Sequence, residues 1–323
     1  LTSPACMTYA CSDPKKMAAL LLDVLGWETL CEGVVDTPLD SLWGIAPGSA
    51  GETFAVLRSP GSDRGMIRVV SGEDRTRVAP MSTRWSGVEI VVMEDIEGLH
   101  AKLEAHPDFT VGRVPKTIDF TEAGANIHTY FYVYPPGGTH FMMTMARTEC
   151  RDYVFPYSPN PVGHIFDIHL DIDKHGPSRG FYEETLGLTA VFDEDITEGL
   201  FYETWDIPEG SPANLTLFKG DAPKYGLDGI EMRIFDKEVM DPLPAVADKF
   251  DPGCCMTTYA CTDVDAVFRA VSNSDLATIL SEPQSIHAEP YAGAAAFTFL
   301  GPDGERVEIC SSLWGCSVAR LAN

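Results

Sequence analysis

Three short runs of this sequence alternate charged and apolar side chains so that acid–base groups gather on one face. In residues 166–172 the apolar row is Phe166, Ile168, Leu170 and Ile172, and the opposite row is Asp167, His169 and Asp171. In residues 229–235, Ile230, Met232 and Ile234 leave Glu231 and Arg233 opposite; near the C-terminus, Val307 and Ile309 leave Arg306, Glu308 and Cys310. Successive side chains of a strand point to opposite faces, so each row is a shared surface. Asp167, Glu231 and Glu308 with His169 would form an oxygen-rich ligand set with one imidazole. Such a set suits Mg²⁺, Mn²⁺ or Fe²⁺ better than a thiolate-type zinc site does. Without a metal, the same carboxylates would raise one another's pKa by like-charge repulsion and desolvation, which suits proton abstraction. Both uses stay open at this point. Asp167 and Glu308 would be ligands or the base, His169 a ligand or proton shuttle, and Arg233 an anchor for an anion or carboxylate.

A second surface has a different lining. In residues 127–134, His128, Tyr130, Tyr132 and Tyr134 share one face, with Ile127, Thr129, Phe131 and Val133 on the other; His140 joins from the next strand-like run. Tyr hydroxyls on an aromatic wall fit a planar or phenolic ligand, so His128, Tyr130 and Tyr132 are the substrate-binding candidates. No P-loop, no GxGxxG after a strand and no G-x-S-x-G elbow occurs, so phosphate cradling and a serine nucleophile have no support.

The elements that must position these groups repeat along the chain. Thr8-Tyr9-Ala10-Cys11-Ser12-Asp13 matches Thr258-Tyr259-Ala260-Cys261-Thr262-Asp263. Each is a strand-like run ending at an Asp that opens a helical period, with Met17, Leu20, Leu21, Val24 and Leu25 after the first and Val264, Val267, Phe268 and Val271 after the second. Two further strands, ending before Asp95 and Asp173, lead into helices in the same way. The Asp suits the helix N-terminus, where it accepts orphan N–H bonds and meets the dipole. Three strand-like segments follow each helix, so the unit is βαβββ, read four times.

Leu25-Gly26-Trp27 matches Leu186-Gly187-Leu188 at an offset of 161, and Gly48-Ser49 matches Gly210-Ser211 at 162. Units one and three therefore share an extra loop. The turn at Gly137-Gly138 matches the one at Asp303-Gly304 at an offset of 166, which makes units two and four alike. The expected domains are residues 1–150 and 160–316, each holding two βαβββ modules, with residues 157–161 as linker.

Phe181-Tyr182-x-x-x-Leu186-Gly187-Leu188, together with Gly301-Pro302-Asp303-Gly304-x-x-x-Glu308, resembles the vicinal oxygen chelate superfamily. That group includes glyoxalase I, bleomycin resistance proteins and type I extradiol dioxygenases, and the resemblance covers nearly the whole chain. It implies an α+β fold in which modules pair into half-barrels, with the face away from the helices forming a cavity wall that often holds a divalent metal. The resemblance places the ligands in each unit's first and last strands. Those positions fall on Cys6 in unit one, Val88 and Met142 in unit two, Asp167 and Glu231 in unit three, and Met256 and Glu308 in unit four. The first pair would then hold no metal, and Asp167, His169 and Glu308 would meet in a cavity of the C-terminal half. The implied activity is that of a lyase, isomerase or ring-cleaving dioxygenase acting on a small oxygenated metabolite. The alternative is a non-catalytic binder of the resistance type.

Composition narrows the partners. Lys and Arg number 23 against 48 Asp and Glu, a formal charge of −25 that repels phosphate backbones and anionic lipid heads. A small-molecule partner is therefore expected, without nucleic acid or membrane; a homodimer is compatible with the sequence and not required by it. The nine cysteines are odd in number, lack CxxC spacing and include the adjacent Cys254-Cys255, which favours free thiols and a cytoplasmic setting. No run approaches eighteen apolar residues.

Overall fold

A computed structural model describes residues 1, 4–75, 83–112, 114–119, 121, 127–148, 156–196, 210–211, 213–220, 229–235 and 243–312. Unit one runs β1 (Pro4–Cys11), α1 (Pro14–Leu25), β2 (Glu28–Val34), α2 (Thr37–Trp43), β3 (Thr53–Arg58) and β4 (Met66–Ser71). Unit two is β5 (Trp85–Val92), α3 (Ile96–Glu104), β6 (Thr110–Val111), β7 (Lys116–Asp119), β8 (Ile127–Tyr134) and β9 (His140–Ala146). Unit three has β10 (Val162–Asp171), α4 (His175–Gly180) running into a π-turn at Phe181–Thr185, β11 (Thr189–Ile196), β12 (Ala213–Lys219) and β13 (Gly229–Phe235). Unit four comprises β14 (Gly253–Ala260), α5 (Val264–Ser272), β15 (Thr278–Ile279), β16 (Gln284–Ile286), β17 (Ala294–Leu300) and β18 (Arg306–Cys310).

The helix-opening aspartates act as read from the sequence in three units. Asp13 accepts from the Lys16 N–H, Asp95 from that of Gly98 and Asp263 from that of Ala266, each at 2.8–3.0 Å. Gly26 closes α1 at φ 70°, where it donates back to the last turn. Unit three departs from the pattern. The Asp173 N–H is drawn to Asp303 Oδ1 at 3.1 Å, so α4 starts one residue late, after Lys174, without a side-chain cap. The extra loop of unit one carries α2, capped by Asp36; the matching stretch of unit three, residues 197–209, lies outside the described residues.

The strands form two nine-stranded sheets, ordered β15-β17-β18-β14-β1-β4-β3-β2 and β11-β12-β13-β10-β5-β9-β8-β6, with β16 on β17 and β7 on β8. In the first sheet β1 lies antiparallel to β14; in the second β5 lies antiparallel to β10. Unit one therefore pairs with unit four and unit two with unit three. This corrects the expectation that residues 1–150 and 160–316 each pair within themselves. Sequence offsets record which units are alike and carry no information on which first strands share hydrogen bonds.

Alternation decides the layers. Met7, Tyr9, Ile67 and Val69 of the first sheet share one core with Val88, Ile90, Ile168, Leu170, Ile230 and Met232 of the second, and the apolar faces of α1, α3 and α5 join it. The opposite, concave faces carry separate clusters, one around Trp43, Val56 and Tyr291 and the other around Tyr130, Tyr132 and Leu215. Trp27 Nε1 donates to Gly163 O and Trp85 Nε1 to Arg306 O, tying the sheets together at 3.1 and 3.0 Å. Cys6, Cys11, Cys31, Cys254, Cys255, Cys261 and Cys310 are free thiols; Cys150 and Cys316 lie outside the described residues.

The turn between β17 and β18 buries acid. Glu305 is fully buried, accepts from Tyr182 Oη at 3.0 Å, and has its pKa pushed up to about 7 by burial and then by Asp303. Asp303 is raised to about 6 by burial and then by its hydrogen-bonding neighbour Asp173. A carboxyl raised in the folded state binds more protons there than in the unfolded chain. Its stabilisation is complete below the unfolded value near 4 and is lost as pH rises through 7. His128 opposes this below pH 6.5, because burial lowers its pKa to about 4 and its neutral form resists acid. Unfolding free energy, measured by urea titration with chelator present, should therefore rise between pH 8.5 and 6.5. Glu305→Gln should flatten that limb by roughly 1 kcal/mol. An unchanged slope in the variant would contradict the assignment.

Candidate metal centre

Strand register assembles the site on the concave face of the second sheet. Across the antiparallel β5–β10 pair, Glu89 faces Asp167 and Gly87 faces His169. In the parallel pairs, His169 lies beside Glu231 and Asp171 beside Arg233, while Gly87 lies beside His140 and Glu89 beside Met142. Because the apolar residues of β5, β10 and β13 face the shared core, Glu89, Asp167, His169, Glu231 and Arg233 must turn to the cavity. One ligand atom each from Glu89, His169 and Glu231 lies within 4.8 Å of the other two.

These groups are held out of water. His169 is fully buried, Asp167 and Glu89 are buried, and the Glu231 side chain retains 16% of its exposure. His169 Nδ1 shares a 2.7 Å hydrogen bond with His140 Nε2, and its Nε2 has no hydrogen-bond partner, standing 4.0 Å from Glu89 Oε2. Gly87 makes this possible. A Cβ there would stand 2.4 Å from the His140 ring, so a side chain would push that ring off His169.

Electrostatics mark a cluster short of positive charge. Burial, then repulsion from Glu231, pushes Glu89 up to about 8. Asp167 is raised well above the carboxylate range by burial and by Glu231 and Glu89. Burial raises Glu231 as well, against the pull of Arg233. His169 is driven down by burial, with Arg233 and His140 adding to it. A divalent cation would reverse each of these shifts, since it stabilises carboxylates and takes the imidazole lone pair. Two carboxylates, one imidazole with a bare nitrogen and an outer histidine orienting that ring fit such an ion.

Arg233 is not open to a substrate in the anchoring role expected of it. It is fully buried, with Nε 2.8 Å from Asp171 Oδ1, Nη2 bonded to Ser86 and Nη1 3.6 Å from Glu231. It holds Glu231 and Asp171 in place instead. The aromatic wall expected in a separate cavity of the first half stands on this same face. Tyr130 and Tyr132 meet edge to face at 5.9 Å, His128 lies 6.0 Å from Tyr130, and Tyr132 packs on His140 at 4.8 Å.

Glu308 lies elsewhere, which overturns the expectation that it meets Asp167 and His169. It sits on the concave face of the first sheet, beside Thr258 in the register that puts His169 beside Glu231 in the second. The corresponding pair from unit one is Thr8 and Arg68. Arg68 Nη2 reaches Glu308 Oε2 at 3.2 Å, with both side chains fully buried, and Trp43, Tyr291 and Thr258 complete the carboxylate's bonds. Arg68 also bonds Thr8 and Tyr291 and stands 4.7 Å over the Trp43 ring. In this half-barrel a guanidinium supplies the cation. Cys6 and Met256 line the same buried cluster without forming a ligand set with Glu308. Val88 faces the shared core; its neighbour Glu89, absent from the sequence-derived set, brings unit two into the site.

Two half-barrel sheets, each built on an antiparallel pair of first strands flanked by last strands, define the four-module vicinal oxygen chelate fold. Solved structures with this architecture include glyoxalase I from Zea mays, at 15% identity and a TM-score of 0.61 over 95% of this chain and 92% of that one. A single-residue mutant of the same maize enzyme gives 16% identity and a TM-score of 0.62, covering 95% and 92% of the two chains. A candidate dioxygenase from Bacillus subtilis shares 14% identity over 96% of this chain and 84% of its own, with a TM-score of 0.59. At these identities the likeness is one of fold. The sequence matches no protein-family profile and no curated protein.

Proposed function

We propose that the second sheet's cavity holds one divalent cation, Fe²⁺, Mn²⁺ or Mg²⁺, on Glu89, His169 and Glu231, and that the protein is an enzyme acting there on a small oxygen-bearing metabolite. The observation that carries this is the convergence of the three ligand atoms within 4.8 Å around a buried His169 Nε2 that has no hydrogen-bond partner. The fold shared with maize glyoxalase I supports a metal-assisted lyase or isomerase, and the aromatic wall supports a planar substrate, including one cleaved by a dioxygenase. A bound ion would supply Lewis-acid polarisation of adjacent substrate oxygens. The chain's own groups do the rest. His169 presents Nε2 only if its Nδ1 carries the proton and donates to His140 Nε2, which fixes the ring. Asp167, opposite Glu89 across β5–β10 and buried beside the three ligand groups, is the acid–base group. Tyr130, Tyr132 and Met142 exclude water and give an aromatic ring a face to pack on.

Elemental analysis of the full chain after dialysis against each ion should find one ion per chain. No retained ion at millimolar supply would end this reading. Oxygen uptake with a catechol would then identify ring cleavage, and solvent deuterium incorporation an enolising isomerisation. A metal-loaded protein that binds aromatic ligands and turns over neither class would be a binder of the resistance type.

A further inference from the structure

We propose that a small monovalent inorganic anion of chloride size binds in the cleft between Arg84 and Arg306, where β5, β18 and the segment leading into β14 meet. The cleft encloses about 20 Å³ and is lined by Arg84, Lys249, Asp251, Cys255 and Arg306, among others. One water-sized occupant needs about 10–15 Å³ of such space, so there is room for one atomic anion.

Charge is what asks for it. Four arginines are buried among the described residues: Arg68, Arg84, Arg233 and Arg306. Two of them have a carboxylate within direct reach, Arg68 from Glu308 at 3.2 Å and Arg233 from Asp171 at 2.8 Å. The other two share this cleft and have no such partner. Arg84 spends Nε on Asp303 O at 2.5 Å and Nη2 on Pro244 O at 2.7 Å, and its Nη1 comes no nearer than 4.0 Å to Asp251. Arg306 makes two long bonds from Nη2, to Ala247 O at 3.3 Å and Gly44 O at 3.5 Å, and its Nε has no partner although the residue is only 6% exposed. Its guanidinium lies 5.4 Å over Phe250, a face that contributes no full charge. Lys249 is engaged at the surface by Glu73 at 2.6 Å. Counting Asp251 against the two guanidiniums leaves one positive charge, and a buried charge without a counter-charge is costly. The deficit stands out in a chain whose formal charge is −25. An anion here would pin residues 243–251 to the turn before β18 without entering the cavity of the second sheet.

The test uses the full chain in two measurements. Crystals soaked in bromide should show an anomalous peak bounded by Arg84 and Arg306. The melting temperature in sodium chloride should exceed that in sodium gluconate of equal ionic strength, by about 2–4 °C per tenfold chloride above the dissociation constant. Arg306→Gln should abolish the difference. Because that variant removes the guanidinium packed over Phe250, Ala247→Asp serves as a second one. It places a carboxylate where the anion would sit, and it should fold, melt at or above the wild type in gluconate, and lose its response to chloride. Equal melting in the two salts for the wild type, or an Ala247→Asp protein that keeps the wild-type chloride response, would overturn the proposal. A bromide peak without any thermal response would mean an adventitious ion only, which also counts against it.

Discussion

Arg68→Met is expected to lower the unfolding free energy by about 3–5 kcal/mol, the range for removing one partner of a buried ion pair. Glu308 would keep its bonds from Trp43, Tyr291 and Thr258 and lose its only cationic partner among the described residues, inside a cavity where both side chains of the pair are fully shielded. Thr8 would lose both of its donors from Arg68, at 3.0 and 2.8 Å. The cost comes mainly from stranding a carboxylate, so the double variant Arg68→Met with Glu308→Gln should recover most of it, because a neutral amide still offers an oxygen to Trp43 and Tyr291. Urea unfolding of the wild type and the three variants closes the cycle. A single Arg68→Met variant within about 1 kcal/mol of the wild type would show that the guanidinium is not the cation that this half-barrel depends on.

That result would also bear on how the two half-barrels diverged from one frame. Thr8, Arg68, Thr258 and Glu308 in the first sheet stand at the register positions of Glu89, Met142, His169 and Glu231 in the second. The same backbone carries an internal ion pair on one side and an acid cluster on the other. Side-chain identity at matched register positions separates them.

The repeating unit was readable because its signals are local. An aspartate before a 3.6-residue period opens α1, α3 and α5, and period-two rows define the strand faces. Pairing between units was not readable, since any of the four first strands could offer the same antiparallel edge. The chain closes β1 onto β14 across nearly its whole length. The site was legible in proportion to that. Asp167, His169 and Glu231 fall on one face by alternation within β10 and β13, and the structure keeps them there. Glu308 obeys the same parity on β18, and only a pairing of units three and four would bring it to them; β14 pairs with β1 instead. Glu89 was within reach of the sequence. Val88, Ile90 and Val92 form the apolar row of β5, which leaves Glu89 opposite, whereas the position implied by the resemblance falls on Val88. His140 follows the tyrosines in sequence, but its bond to His169 crosses from unit two to unit three and has no local signature. Unit three's late helix start had none either, because it depends on Asp303, 130 residues away.

Glu89→Ala should weaken divalent-ion binding by about 100-fold or more, whereas Glu308→Gln should leave it within about threefold of the wild type. The two substitutions separate the observed site from one in which Glu308 is a ligand. Glu89 supplies one of three converging ligand atoms, and its removal leaves His169 and Glu231, too few to hold a hard cation against water. Alanine at this position also relieves charge. With Glu89 gone, Asp167 and Glu231 lose a repelling neighbour, so the apo-protein should be no less stable and a fall in ion binding cannot be ascribed to unfolding. Gly87→Ala supplies a graded third case. Its methyl would displace the His140 ring from a 2.4 Å approach, leaving every ligand present but His169 unsupported, and a loss of about 10–100-fold follows. Calorimetric titration of the four proteins with Mn²⁺ reads all of these. The order Glu308→Gln near the wild type, Gly87→Ala intermediate and Glu89→Ala weakest is expected only if the ion sits on the second sheet with His140 orienting one of its ligands. Weak binding by Glu308→Gln with Glu89→Ala unaffected would put the ion in the first half-barrel, where the structure places a guanidinium instead.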